Sequence, residues 1–120
     1  MDAEDLLDVL DLMDRLPVDR EENVERLNYT LRFGHLLLLK EEGKLTGCAE
    51  LFRVEQIPDY PVIPWPKDNP KGKFVYCFSA VTEKNRILKL IQLAKKRFPE
   101  CKKIIWHREK RNHKLSFERI

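Results

Sequence analysis

Cysteine is scarce, and its placement excludes more than it suggests. The three residues, at 48, 77 and 101, are odd in number and too widely spaced for a disulfide framework or a zinc pattern. All three lie in apolar, strand-like surroundings and read as small hydrophobes in a reducing, cytoplasmic setting. Long hydrophobic runs are missing too: residues 36–39 make only a strand's worth, far short of a membrane span. The opening MDAEDLLDVLDLMD is acidic and helical, without the basic stretch that begins a signal peptide. No set of His, Cys, Asp and Glu has metal-ligand spacing, and no Ser-His-Asp or Cys-His arrangement can be argued from residue order. There is no internal repeat and no low-complexity segment.

What is present is a 120-residue chain, 42% hydrophobic and 36% charged, the size of one domain (1–120) with a single core. Its net charge of +3 conceals a strong asymmetry. Residues 1–60 carry 15 acids and 7 bases, whereas residues 61–120 carry 5 acids and 16 bases. Either the two halves fold against each other, or the second half presents a cationic face to phosphate, nucleic acid or an acidic partner.

Apolar residues at helical spacing predict a helix over 3–15, ended by Pro17. Asp19 is positioned to cap a second helix reaching about residue 31, with Val24, Leu27 and Leu31 facing the core and Gly34 closing it. Residues 35–42 and 44–55 form a hairpin around Glu41-Glu42-Gly43-Lys44. Alternation along its second arm puts Thr46, Cys48, Glu50, Phe52 and Val54 on one face and Leu45, Gly47, Ala49, Leu51 and Arg53 on the other. Residues 57–72 hold five prolines and form a long stiff loop.

The most informative stretch is 74–105. It reads as a strand over 73–81, a basic amphipathic helix over 83–98 with Thr82 as N-cap and Ile87, Leu90, Ile91, Ala94 and Phe98 inward, and a strand over 102–107. Such a unit sets a helix N-terminus just beyond the carboxyl end of a strand, where anionic ligands bind. Lys84, Arg86 and Lys89 make that helix start cationic. A short last strand is expected over 114–119, after a basic connection.

This order of elements resembles the GNAT (Gcn5-related N-acetyltransferase) superfamily. Two helices precede a hairpin whose turn, Glu42-Gly43-Lys44-Leu45-Thr46-Gly47, is similar to the family's "dGkivG"; a central strand, a helix and a further strand follow. The resemblance spans about residues 20–108. The counterpart of the family's Q/R-x-x-G-x-G/A signature is Val81-Thr82-Glu83-Lys84-Asn85-Arg86-Ile87, without a glycine. The resemblance implies an α+β domain with a mixed, mostly antiparallel sheet flanked by helices, truncated at the C-terminus, like a compact phage-type or toxin-acyltransferase-like branch. It also implies an acyl-CoA co-substrate, no metal, and transfer of an acyl group to an amine acceptor. Val81, Thr82, Lys84, Asn85, Arg86 and Lys89 would then hold the donor's phosphates.

Individual residues carry two readings each. Glu50, a carboxylate on an otherwise apolar strand face, is either a general base or a solvated side chain. Ser79 and Cys77, on one face of the central strand, either contact a ligand or pack as core. His107, with Arg108 beside it, is an acid/base or phosphate contact, or simply marks where the strand emerges. Tyr60 and Trp65 are either a substrate rim or a cover for the core. His35, at a strand start, reads as structural. The rival function is nucleic-acid binding by Lys102, Lys103, Arg108, Lys110, Arg111, Lys114 and Arg119, interleaved with Trp106 and Phe117. A third reading is a non-catalytic interaction module using the acidic helices.

Overall fold

A computed structural model describes residues 2–120. Its elements run α1 (Ala3–Met13), α2 (Arg20–Phe33), β1 (His35–Glu41), β2 (Lys44–Val54), β3 (Phe74–Thr82), α3 (Ile87–Arg97), β4 (Lys103–Arg108) and β5 (Arg111–Ser116), closing on a 3-10 turn, Phe117–Arg119. The five strands form one sheet in chain order, antiparallel throughout except that β3 and β4 run parallel. Those two strands are joined through α3, as the strand-helix-strand pattern predicted. No helix among the described residues is long and apolar enough to cross a membrane.

Local chemistry explains most boundaries. Asp2 and Asp19 cap α1 and α2, each side chain accepting from a backbone N–H three residues on, at 2.9 Å. In the β1–β2 turn both Glu42 (φ 53°) and Gly43 (φ 78°) are left-handed, the conformation a two-residue hairpin demands. Glu109 (φ 52°) and Lys110 (φ 64°) repeat that geometry between β4 and β5. The basic stretch expected as a connection is therefore a tight hairpin, and the last strand begins at Arg111 rather than 114.

The helices divide between the faces of the sheet. α3 lies over Leu37, Leu39, Ala49, Leu51, Val75 and Ile104. α1 and α2 lie over the other face, where Val9, Leu12, Met13 and Leu27 pack with Cys48. The alternation expected along β2 holds from Gly47 onward; at the irregularity opposite Leu39 and Lys40 it breaks, so Leu45 packs with the α1 cluster and Thr46 turns to Glu41. The expected inner face of α2 does not hold: Val24 and Leu31 are exposed, and the helix buries Asn23, Leu27 and Thr30 instead. Those three share one helical stripe; Thr30 is polar because it meets Glu50 on the sheet, and Asn23 because its amide donates to the Met13 carbonyl at the end of α1. Gly34 closes α2 as expected, its N–H donating to the Thr30 carbonyl, with extended backbone (φ −143°). Its smallness serves packing, since a Cβ there would fall 2.5 Å from the Phe52 ring.

Two departures shape the site. First, α3 starts at Ile87, four residues later than expected. Thr82 ends β3 and caps nothing, and Asn85 turns the chain with φ 65°. Ile87 is exposed rather than buried. Second, β3 is bulged. Glu50 pairs with Ser79 and the next residue, Leu51, pairs with Cys77, which leaves Phe78 as an extra residue. The bulge breaks the alternation, so Ser79 does not share a face with Cys77 as expected. Cys77 packs with the α3-side core, while Ser79 turns to Glu50.

Candidate active site

β3 and β4 pair only along their first halves, residues 74–77 with 103–106. Beyond that point β3 continues against β2 to Thr82, and His107 and Arg108 have no β3 partner. The strands part where the bulge begins. A cleft of about 780 Å³ occupies the opening. Cys77, Ser79, Ala80 and Trp106 line it from the sheet, Ile87 and Ile91 from α3. On the other side of Phe78, a smaller pocket of about 370 Å³ lies between α2 and the proline loop. Arg26, Cys77, Phe78 and His107 line both, so the two spaces meet at the bulge.

Glu50 is 1% exposed. Thr30 of α2 donates its hydroxyl to one carboxylate oxygen at 2.5 Å, and Ser79 donates to the other at 2.5 Å. Both oxygens are thus held, and it is Ser79, half-buried, that faces the cleft. Burial, reinforced by the Glu50 charge, pushes the thiols of Cys48 and Cys77 up to about 12. Cys77 is therefore a neutral thiol at physiological pH and not a nucleophile.

His107 is fixed at both nitrogens. Nε2 lies 3.1 Å from the Pro58 carbonyl, to which it must donate, so Nδ1 accepts from the Tyr76 hydroxyl at 2.9 Å. The Tyr76 phenol is pushed up to about 12 by burial and keeps its proton. His107 thereby ties β4 to the proline loop while its ring borders both spaces. Tyr60, 52% exposed, meets that ring edge-on and forms the outer rim of the smaller pocket. Trp65 is wedged between Tyr29 and Phe78, and Tyr29 donates to the backbone carbonyls of Trp65 and Pro66. Trp65 covers core and lines the pocket wall at once. Arg108 is exposed at the mouth of the larger cleft.

The helix-start cations are partly spoken for. Glu41, at the end of β1, receives Lys89 Nζ at 2.8 Å, Thr46 Oγ1 at 2.8 Å and Arg86 Nε at 2.7 Å, and these partners hold its carboxyl down at about 2. Lys84 and Asn85 are exposed. The first amides of α3, on Ile87, Leu88 and Lys89, have no intrahelical acceptor, and the helix has no side-chain cap. Val81 points away from this end, packing with the α1 cluster, and Thr82 lies against Gly47.

Several participants escaped the sequence reading. Arg26 was invisible because α2 was scanned for apolar periodicity. Yet Asn23, Arg26 and Thr30 form a polar stripe at helical spacing; Arg26 and Thr30 serve the site, while Asn23 ties α2 to the end of α1. Glu41 passed as a turn residue. Asp68, in the proline loop, is buried enough to raise its pKa, but the Arg53 side chain and backbone and His35 outweigh that and hold it below the usual range. This pins the loop across β2. Among the described residues no cluster of His, Cys, Asp and Glu has a metal-holding arrangement.

No family model and no curated protein matches the sequence. Solved structures do match. The GphF GNAT-like decarboxylase in complex with isobutyryl-CoA superposes with a TM-score of 0.58 at 15% identity, over 88% of this chain and 62% of that one. The fold is that of the GNAT proteins. The loading GNATL domain of CurA from Lyngbya majuscula matches at 0.56 and 17%, over 86% of this chain and 59% of that one. The aminoglycoside 6'-N-acetyltransferase AAC(6')-IG from Acinetobacter haemolyticus matches at 0.57 and 10%, over 91% and 77%. The GNAT-like chain thus spans about three-fifths of the first two structures.

Proposed function

We propose that this domain binds an acyl-CoA, or a similar acyl thioester, between β3 and β4 and transfers the acyl group to an amine. The parting of the two parallel strands carries the reading. Residues 78–82 of β3 have no β4 partner, and apart from the Phe78 carbonyl, held by Arg26, and the Ser79 carbonyl, met by the Cys77 thiol, their backbone groups on that side are open to an extended, amide-bearing arm laid in the gap. The capless α3 start supplies N–H groups and a positive dipole end for phosphate, with Lys84 nearby and Arg86 and Lys89 reachable by displacing Glu41.

In this reading Glu50 acts through Ser79 rather than directly. An amine attacks the thioester carbonyl carbon; its proton passes to Ser79 Oγ as the Ser79 proton passes to Glu50, and the C–S bond breaks to release the thiolate, which takes that proton back from Glu50 through Ser79 to leave as the thiol. Thr30 holds the far oxygen of Glu50 and fixes its orientation. The amine would approach through the smaller pocket, past Tyr60, Trp65 and His107. Calorimetry with acetyl-CoA tests the donor half. Binding weakened about tenfold or more by joint loss of Lys84 and Arg86 supports it, and no binding by the wild type at millimolar ligand overturns it.

One observation favours a second reading. Among the described residues none of Lys102, Lys103, Arg108, Lys110, Arg111, Lys114 and Arg119 is in an ion pair, and Trp106 stacks on His113 along the same β4–β5 hairpin. Unpaired cations around an aromatic stack suit nucleic acid. Titration with duplex DNA at two salt concentrations decides: log-log slopes steeper than about −4 would mark five or more phosphate contacts.

A further inference from the structure

We propose that Arg26 is the receptor for a substrate carboxylate, borne by the amine acceptor or by the acyl group of the donor. The proposal rests on the acyl-transfer reading only for the names of those two sources.

Arg26 projects from α2 to the junction of the two clefts and lines both. Its guanidinium lies over the Phe78 ring, 4.2 Å from the centroid, and Nη2 donates to the Phe78 carbonyl at 2.9 Å. The group is thereby held at the bulge, beside the point where β3 and β4 part. Its charge, however, is unanswered. Among the described residues no carboxylate lies within 4 Å of its nitrogens, although Glu22 stands one turn earlier on the same helix and lines the same pocket. Its Nε is shielded from solvent and has no acceptor.

Anchoring the bulge does not account for this arrangement. One neutral donor would satisfy the Phe78 carbonyl. A guanidinium brings five donors in a planar fork and a permanent charge, and leaving these half-buried and unpaired is unfavourable unless something occupies them. The complement of a planar cationic fork is a planar anion with two acceptor oxygens, a carboxylate, bound through two parallel hydrogen bonds. The surroundings limit its size and character. The smaller pocket, about 370 Å³, is walled by Tyr60, Val62 and Trp65 and carries Glu22 at its edge. That fits a compact apolar body with a carboxylate towards Arg26, and Glu22 offers an anionic counterpart to a cationic amine. On the larger-cleft side the same guanidinium would meet the end of an acyl chain.

Calorimetry on the whole chain separates the two sources. The first arm compares leucine with 3-methylbutylamine and phenylalanine with phenethylamine. The second compares succinyl-CoA with butyryl-CoA. We expect the carboxylated member to bind at least about tenfold tighter in one arm, the worth of a charge-assisted pair. We expect Arg26→Gln, which can still donate to the Phe78 carbonyl, to erase that difference. Equal binding within every pair, no binding in either arm, or a preference that survives Arg26→Gln overturns the proposal. Should Arg26→Gln not fold, the wild-type ratios decide together with Arg26→Lys, which keeps the charge and loses the fork. If no CoA thioester binds at all, the acyl-transfer reading falls and the first arm alone judges Arg26. If both thioesters bind equally and neither amino acid is preferred, Arg26 alone is wrong.

Discussion

The two faces of the sheet differ in kind. Under α3 the buried residues are apolar, from Leu37 and Leu51 to Ala94, Ile104 and Phe117, apart from Thr46 at the hairpin end, whose hydroxyl meets Glu41. Under α1 and α2 the burial includes Asn23, Thr30 and Glu50, each 1% exposed or less, with Arg26 beside them. An apolar face is complete once it is packed. A polar one must supply every partner, and a missing partner costs more than the hydrogen bond returns. The Glu50 network is therefore set into the face that also carries the Val9, Leu12, Met13 and Leu27 core, and Phe78, the extra residue in β3, lies where the two faces meet.

The largest expected effects sharpen that contrast. Leu51→Ala, on the apolar side, should cost about 2–5 kcal/mol in urea unfolding, through lost burial and the cavity left behind. Glu50→Gln should cost less, about 1–3 kcal/mol, because one of two hydroxyl-to-carboxylate bonds is weakened or reversed. It should also abolish turnover if Ser79 relays a proton to Glu50. A Glu50→Gln protein as stable and as active as wild type would erase the distinction between the faces. Gly34→Ala should cost about 1–3 kcal/mol by overpacking. The new methyl group would press on Phe52, and the same unfolding assay in a Phe52→Leu background should recover part of the loss.

What the sequence made legible follows the same division. Wherever a local rule decides, the reading held: the Asp19 cap, the Glu42-Gly43 turn, the β2 alternation from Gly47 onward, the strand-helix-strand unit from β3 to β4. What escaped was set by contacts distant in sequence. The bulge at Phe78 has no local signature, since FVYCFSAVT reads as an unbroken strand, yet it decides that Ser79 faces Glu50. In the α2 stripe Thr30, Arg26 and Asn23 are polar because of Glu50, the Phe78 carbonyl and the Met13 carbonyl, 20, 52 and 10 residues away respectively. Apolar periodicity therefore selected Val24 and Leu31 instead. Thr82 looked like a cap because capping residues are common after strands, but β3 pairs with Gly47 through Thr82 and leaves no room for the helix to start there.

The smallest expected effect probes the edge between the faces and the helix start. Glu41 is half-buried, and its carboxyl is held at about 2, against an ordinary 4.5, by Lys89, Thr46 and Arg86. A carboxyl lowered on folding contributes stability above its unfolded pKa and loses it as pH falls through its folded one. The contribution of Glu41 is thus intact at pH 5 and above and fades between about pH 4.5 and 2. Because the group stays open to solvent, that contribution is modest and screened by salt. Carbon-detected NMR titration should find the Glu41 carboxylate still charged at pH 3, and Glu41→Gln should flatten the stability profile across that window. The same substitution releases Arg86 and Lys89 beside the open amides of α3. If an acyl donor's phosphates bind there, Glu41→Gln should tighten CoA binding a few-fold at low salt, an advantage that shrinks as salt rises. If binding is unchanged or weaker, the cations serve only to fasten β1 to α3, and the phosphates must be sought elsewhere along the mouth of the cleft, with Arg108 the next residue to replace.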